Sequence, residues 1–495
     1  MENQMNTTPG EPELSSSFAE RFPGLGTASK AIDAPTPEPV IVNDDLAEFL
    51  GIDLEWLNSD DGTAFLAGTH LPTDAKPIAM AYAGHQFGGY SPILGDGRAI
   101  LVGEITDADG NLEDIHLKGS GRTPFSRGGD GLATLPAMLR EYLMAESMHA
   151  LTVPTSRALG VVTTGLGVQR AKVEAGAVLT RVARSHIRVG TFEFTARQDP
   201  DLVGDLVNYS LERHYPELVD AEVPALALLE AVTNAQAKLI AKWMHLGFVH
   251  GVMNTDNVLI SGETIDYGPC AFLETHDPTT VFSSIDRQGR YAFGNQPAIG
   301  QWNLTRLAET LLPLIDDDED QAVAKATAVL ESFSQLFGDH WLEGMATKIG
   351  LDGQHGNEVV GELVSNLVAM MTRSKADHTS TFRGLAKALR GEIQLDFTLS
   401  SDSAWDDWSQ RWHEALGDAD KTEVATAMDA INPVYIPRNH LVEEALSAAG
   451  EGDLEPFQQL LDATTSPYVE RDGLDRYARP APTEFTDGYQ TFCGT

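Results

Sequence analysis

A change in hydrophobic period near residue 200 constrains this chain more than any other feature. Before it, short β-rich runs alternate with glycine-rich turns; after it, apolar residues recur at helical spacing to roughly residue 460. AILVGEI (99–105) and DIHLKG (114–119) flank the turn DADGN (107–111), which predicts an antiparallel hairpin around an Asp-Gly turn signal. GVVTTG (160–165) and GAVLTRVA (176–183) predict further strands. Between these pairs, Leu135, Met138, Leu139, Tyr142 and Leu143 predict a helix over 134–151. The run 225–247 carries an apolar stripe through Leu228, Val232 and Ile240 and ends at Gly247, a natural C-cap. Helical pattern continues over 301–315, 321–337, 357–373 and 421–430. A strand-rich half followed by a helix-rich half is an α+β layout, with a ligand cleft expected between the halves.

Directly after the predicted 225–247 helix comes HGVMNTDNVLISGETIDYG (250–268). His250 and Asn257 have the spacing of a kinase catalytic loop, His-x-Asp-x-x-x-x-Asn, but Val252 stands where that loop carries its base. Asn257 and Asp266 read as oxygen ligands for a hard divalent cation, which takes few ligands from protein and the rest from phosphates and water. The alternative for an isolated Asn-Asp cluster is a turn; the helix before it and the Asp-Tyr-Gly after it favour the metal. Lys118 on a predicted strand and Glu141 on the next helix are separated by the interval of a phosphate-contacting lysine and its holding glutamate. Taken alone, Glu141 reads better as a surface carboxylate paired with a nearby base; its place between the strand pair and the helical half favours the pairing with Lys118.

Two glycine-rich pieces, LGDGRA (94–99) and GSGRTPFSRGGDG (119–131), surround Arg98, Arg122 and Arg127, and Arg181 and Arg188 follow in LTRVA and SHIRVG. Backbone N–H groups and guanidinium forks in such loops suit phosphate oxygens, although any single Arg reads equally as half of a surface ion pair. GLGTASK (24–30) fails as a phosphate loop because Ser29 occupies the second glycine position, and Pro124 removes GSGRTP from the dinucleotide fingerprints. The set points to a nucleoside triphosphate in a kinase-like cleft.

The formal charge of −39 argues against partners held through nucleic-acid or anionic-lipid phosphates. No run approaches the roughly 20 apolar residues of a membrane span. MENQMNTTPGEPELSSS lacks the layout of a signal peptide, so a cytoplasmic location is expected. Two cysteines, Cys270 and Cys493, exclude a disulfide framework and a cysteine zinc site, and the fourteen His form no His-Glu-x-x-His.

AYAGHQFGGYSPILGDGRA, HLKGSGRTPFSRGGDG, NTDNVLISGETIDYGPCAF, IGQWNLTRLAE, NPVYIPRNH and YQTFCGT together resemble the selenoprotein O family, from about residue 80 to the last residue. The resemblance implies a protein-kinase-like two-lobe fold that binds ATP in a flipped orientation and transfers AMP to Ser, Thr or Tyr hydroxyls of proteins. It implies nucleotide contacts at Gly95, Gly97, Arg98, Lys118, Asp130, Gly131, Arg181, Arg188 and Asp266, with Glu141 positioning Lys118. It further implies Mg2+ or Mn2+ on Asn257 and Asp266, and Asp256 as proton acceptor. Residues 1–40, rich in Ser, Thr, Pro and Glu, read as a loosely ordered arm in which FAERFPGLG can dock on the body; an N-lobe over 41–200, a helical C-lobe over 201–465 and a tail over 466–495 are expected after it. Family members carry cysteine or selenocysteine near this terminus, which suggests a regulatory disulfide between Cys270 and Cys493. The alternatives are UMP or γ-phosphate transfer on the same fold, or a catalytically silent nucleotide-binding redox adaptor.

Overall fold

The computed structural model describes residues 10–354, 356, 358–392 and 398–492. Its first half is built on a seven-stranded antiparallel sheet in the order Gly26–Ala28, Ile78–Met80, Ala99–Thr106, Leu112–Lys118, Val173–Ala183, Arg157–Gln169 and Glu38–Val42. The expected hairpin is its centre: Ala99 pairs with Lys118 and Thr106 with Leu112. Alternation along the strands feeds two cores. Ile100, Val102, Ile115, Leu117, Val178 and Val182 pack against Leu46, Leu57 and Phe65 from the short helices before them. Leu101, Ala177 and Leu179 face the other way, onto Met138, Leu139 and Leu143 of the helix Leu135–Ala150.

FAERFPGLG docks on the body. Phe18, Phe22 and Leu25 are buried in the larger core, and the Glu104 carboxylate accepts from the backbone N–H of Ser17 (2.7 Å) and Phe18 (2.9 Å). A carboxylate at the N-terminus of a helix takes donors that would otherwise lack partners, which holds Ser17–Arg21 in place. Residues 26–28 and 38–42 then close the two edges of the sheet.

From Val189 onward the described chain is mainly helical. Pro224–Leu246 runs through the centre, with Leu228, Val232 and Ile240 buried as the stripe requires, and it packs on Gln296–Ile315 and Glu319–Lys348. Gly247 ends it in the left-handed conformation (φ 71°), where a side chain would be strained and would press on the His378 ring. Phe248–Val249 then pairs antiparallel with Ala271–Phe272. This short ladder ties off both ends of the 250–270 segment and presents it toward the sheet. A separate core around Trp408 and Trp412 gathers the helices Glu358–Ser374, His378–Leu389, Trp405–Leu416 and Lys421–Asp429.

The last described residues do not hang free. Thr491 donates its N–H to the Phe282 carbonyl (2.8 Å), and its hydroxyl donates to the Pro269 carbonyl (2.6 Å). Tyr489 reaches Glu443 at 2.7 Å.

Candidate active site

The sheet and the 250–270 segment face each other across a cavity of about 460 Å³. Gly95, Gly97, Arg98, Lys118, Asp130, Gly131, Arg181, Arg188, Asp256, Asn257 and Asp266 all line it, so residues spread over more than 170 positions of sequence meet at one place. Glu141 stands behind this wall, and Cys270 is not among the lining residues.

Lys118 is the centre of a buried charge network. Its Nζ donates to Glu141 Oε2 at 2.5 Å and to Asp266 Oδ1 at 2.6 Å. Glu141 Oε1 receives the Arg181 Nε at 2.9 Å, and the Arg181 Nη2 also donates to it. Two cations and two carboxylates therefore balance inside a region where any one of them alone would be costly. Burial pushes the Asp266 carboxyl up, but the adjacent Lys118 ammonium and Arg181 outweigh it and hold Asp266 well below the usual carboxylate range. Glu141 is likewise held low by Arg181 and Lys118 against the opposing effect of burial. Asp266 also sits in the left-handed region at φ 68°, uncommon for a residue with a side chain and tolerated best by Asn and Asp. Such an outlier within a cavity wall points to a functional constraint.

Asp256 lies in the single-turn helix Thr255–Asn257. Gln86 Nε2 donates to its Oδ2 at 3.1 Å, while Oδ1 is buried without a hydrogen-bond partner. Burial pushes its carboxyl up to about 6. Gly84 makes room for it, since a Cβ there would come within 2.7 Å of Asp256 Oδ1; Gly190 nearby is required by the Ala83 carbonyl, which a Cβ would strike at 2.2 Å. Arg188 spans the cavity wall, donating to the Asp256 carbonyl (3.1 Å) and to Asp96 (3.4 Å) with its guanidinium 4.1 Å above the Tyr82 ring.

Val252, two residues after His250, lines the cavity. Its carbonyl accepts from Asn257 Nδ2 at 3.0 Å, and the same Nδ2 lies 3.4 Å from Asp266 Oδ2. With its Nδ2 engaged in this way, the Asn257 amide oxygen is the end that could take a cation. Among the described residues no group of three or more His, Cys, Asp or Glu could hold a metal by itself. One amide oxygen and one carboxylate, with phosphate and water completing the shell, fit a small hard divalent cation and do not fit a zinc-type cage.

The glycine-rich loops serve the cavity through backbone shape. Gly95 (φ 77°) has Phe125 at 2.4 Å from where a Cβ would stand, and Gly131 (φ 72°) has the Gly121 carbonyl at 2.2 Å. Arg122 does not reach toward the cavity centre: it donates to the carbonyls of Gly129 (2.7 Å) and Gly128 (3.2 Å), fastening its own loop. Asp130 is held by Arg170 at 2.7 Å.

Several lining residues are not among those predicted from the sequence, including Tyr82, Asp96, His116, Phe125 and Arg170. Two carried a usable signal. Asp96 lies between the two glycines of GDGR, and His116 shares a strand face with Lys118 by the two-residue period. Tyr82, Phe125 and Arg170 had none. Cys270 is fully buried, with its thiol pushed up by burial to about 12, and Cys493 lies outside the described residues.

A profile of the family described as protein adenylyltransferase SelO matches residues 23–465. A protein nucleotidyltransferase YdiU of Mycobacterium sp. strain KMS is 54% identical over 484 residues, covering 97% of this chain and 99% of its own length. The proteins of the same name from Mycolicibacterium smegmatis (52% over 488 residues, 97% and 98%) and Cereibacter sphaeroides (53% over 481 residues, 97% and 98%) are similar to the same extent. With a family profile over most of its length and relatives of this identity across nearly all of it, the chain belongs to the family of protein adenylyltransferase SelO, a family of nucleotidyltransferase enzymes.

Proposed function

We propose that this chain is a protein adenylyltransferase that transfers AMP from ATP to Ser, Thr or Tyr hydroxyls of proteins and releases pyrophosphate. The observation that carries the reading is the Lys118–Glu141–Arg181–Asp266 network, which shares one cavity with the half-satisfied Asp256 carboxylate. In this account the fold is a kinase-like two-lobe arrangement. Residues 41–200 form the nucleotide lobe, 201–465 the helical lobe, and 1–40 and 466–495 the flanking arm and tail.

The GDGR and GGDG turns bind the nucleotide through backbone N–H groups and Arg98, with Asp130 at the rim. The acceptor oxygen attacks the α-phosphorus, its proton passes to Asp256 Oδ1, and the bond to the β-phosphate oxygen breaks. Lys118, Arg181 and Arg188 orient the phosphates and offset the charge that builds on the leaving pyrophosphate; such preorganised electrostatics carry most of the work in this chemistry. Asn257 and Asp266 would hold Mg2+ or Mn2+, which supplies further charge neutralisation at the phosphate oxygens when bound. The raised carboxyl of Asp256 suits a general base better than an ordinary aspartate would, because its affinity for a proton is higher. With the base at Asp256, an apolar Val252 costs the reaction nothing.

Intact-mass spectrometry of an acceptor protein after incubation with ATP or UTP tests the reading. A mass increment of one AMP supports it; an increment of one phosphate or one UMP supports the alternative transfers.

The proposal includes a disulfide between Cys270 and Cys493 that ties the tail to the segment after Asp266. The hydrogen bond from Thr491 to the Pro269 carbonyl supports it, since it brings the described end of the tail beside residue 270. Peptide mapping of oxidised protein that finds no such crosslink would remove this part without touching the rest.

A further inference from the structure

We propose that a second cavity, walled by the helices Pro224–Leu246 and Glu319–Lys348, binds a small amphipathic anion whose charged head is received by Lys348. The cavity has about 390 Å³, the scale of a small-molecule site, and Leu151, Leu246 and Ile431 give it apolar walls. Lys348 lines it while only 6% exposed. Among the described residues its ammonium has no hydrogen-bond or ion-pair partner; Nζ lies 4.1 Å from the centroid of the Phe382 ring, with His245 and His378 the titratable groups near it. Buried charges in folded proteins are normally paired, so an unpaired one at a cavity wall marks a place where a ligand can supply the counter-charge.

The charge balance supports the same conclusion. The chain has 73 Asp and Glu against 34 Lys and Arg. Around this cavity the ratio inverts: Lys238, Lys242 and Lys348 line it with Glu343 as the one carboxylate among the lining residues. Burial pushes Lys348 down to about 7, the response of an amine that lacks an anion. The apolar walls and the single deeply buried cation favour a carboxylate with a hydrocarbon body over a polyphosphate. The cavity also borders His245 and Leu246, in the last turn of the helix that ends at Gly247 just before the His250 segment. A ligand here would therefore stand against the base of the active-site turn.

Isothermal titration calorimetry of the full chain with octanoate and with 1-octanol tests this. The expected result is saturable binding of octanoate at a single site, about tenfold or more tighter than octanol, because a charge-assisted contact distinguishes the two. Lys348→Met should bring octanoate down to the level of octanol. Ala430→Phe, which narrows the cavity without touching the lysine, should abolish octanoate binding while the unfolding curve stays cooperative. Equal binding of the two probes, no saturable binding of octanoate, or an octanoate preference that survives either substitution would overturn the proposal.

Discussion

Asp266 and Lys118 meet at 2.6 Å, joining the central strand of the sheet to the segment that follows the long helix Pro224–Leu246. Lys118 is held from the other side by Glu141, which also receives Arg181, so a single carboxylate fixes two cations aimed at the same cavity. Replacing Glu141 with Ala leaves both cations buried with one carboxylate between them. We expect Glu141→Ala to destabilise the protein by about 3–5 kcal/mol in urea unfolding and to depress nucleotidyl transfer in the fraction that stays folded. An unchanged urea midpoint would show that the network contributes no stability.

Asp256 should behave differently. Its Oδ1 has no protein partner to lose, so Asp256→Asn should keep the melting temperature of the wild type and lower kcat by about 10²–10⁴-fold, the usual contribution of a general base. Gly84→Ala intrudes on the same oxygen and should slow transfer by displacing the Asp256 carboxylate while the residue itself is kept. Steady-state rates and thermal melts on both variants check this pair of outcomes.

Much of this site was legible in the sequence because its pieces are local patterns. The hairpin around DADGN, the helix that carries Glu141 and the glycine at the end of the long helix each follow from period and turn chemistry over a few residues. The interval between Lys118 and Glu141, with the place of Glu141 between the strand pair and the helical half, predicts their pairing, and the structure brings them to 2.5 Å. The edges of the sheet were not legible. Residues 26–28 and 38–42 lie in a Ser-, Pro- and Glu-rich stretch, and they become strands because Ile78–Met80 and Arg157–Gln169 offer unpaired edges. Arg122 looked like a phosphate ligand by composition, but the backbone carbonyls within its reach decide otherwise. Tyr82 and Arg170 enter the site only through packing between segments far apart in sequence.

Lys348 gives a pH-dependent prediction for stability. In the unfolded chain its pKa is near the ordinary 10.5, and in the fold it is about 7. Between these values the unfolded state binds the extra proton, so this residue makes stability rise with pH across roughly 7 to 10.5 and imposes its full cost at or below pH 7. Lys348→Met removes that cost. The variant should be more stable than wild type by about 1–4 kcal/mol at pH 7, and the gap should narrow as pH rises toward 10. Chemical denaturation at several pH values measures the gap; a gap that does not change with pH would contradict the assignment.

Cys270 is buried and its thiol is pushed up to about 12, so it offers almost no thiolate near neutrality. In fully reduced protein, iodoacetamide at pH 8 should leave the Cys270 peptide unmodified in the native state and alkylate it fully in urea. Rapid native alkylation would mean that the segment after Asp266 opens readily.

In the proposed reaction the α-phosphorus of ATP is the electrophile in the cavity shared by Lys118, Asp256 and Asp266. Parallel reactions with α-labelled and γ-labelled ATP, in wild type and in Asp266→Asn, test it most directly. Protein-bound label is expected from the α position alone and should be lost in the variant; label from the γ position, or α label that persists in Asp266→Asn, would contradict α-phosphorus attack.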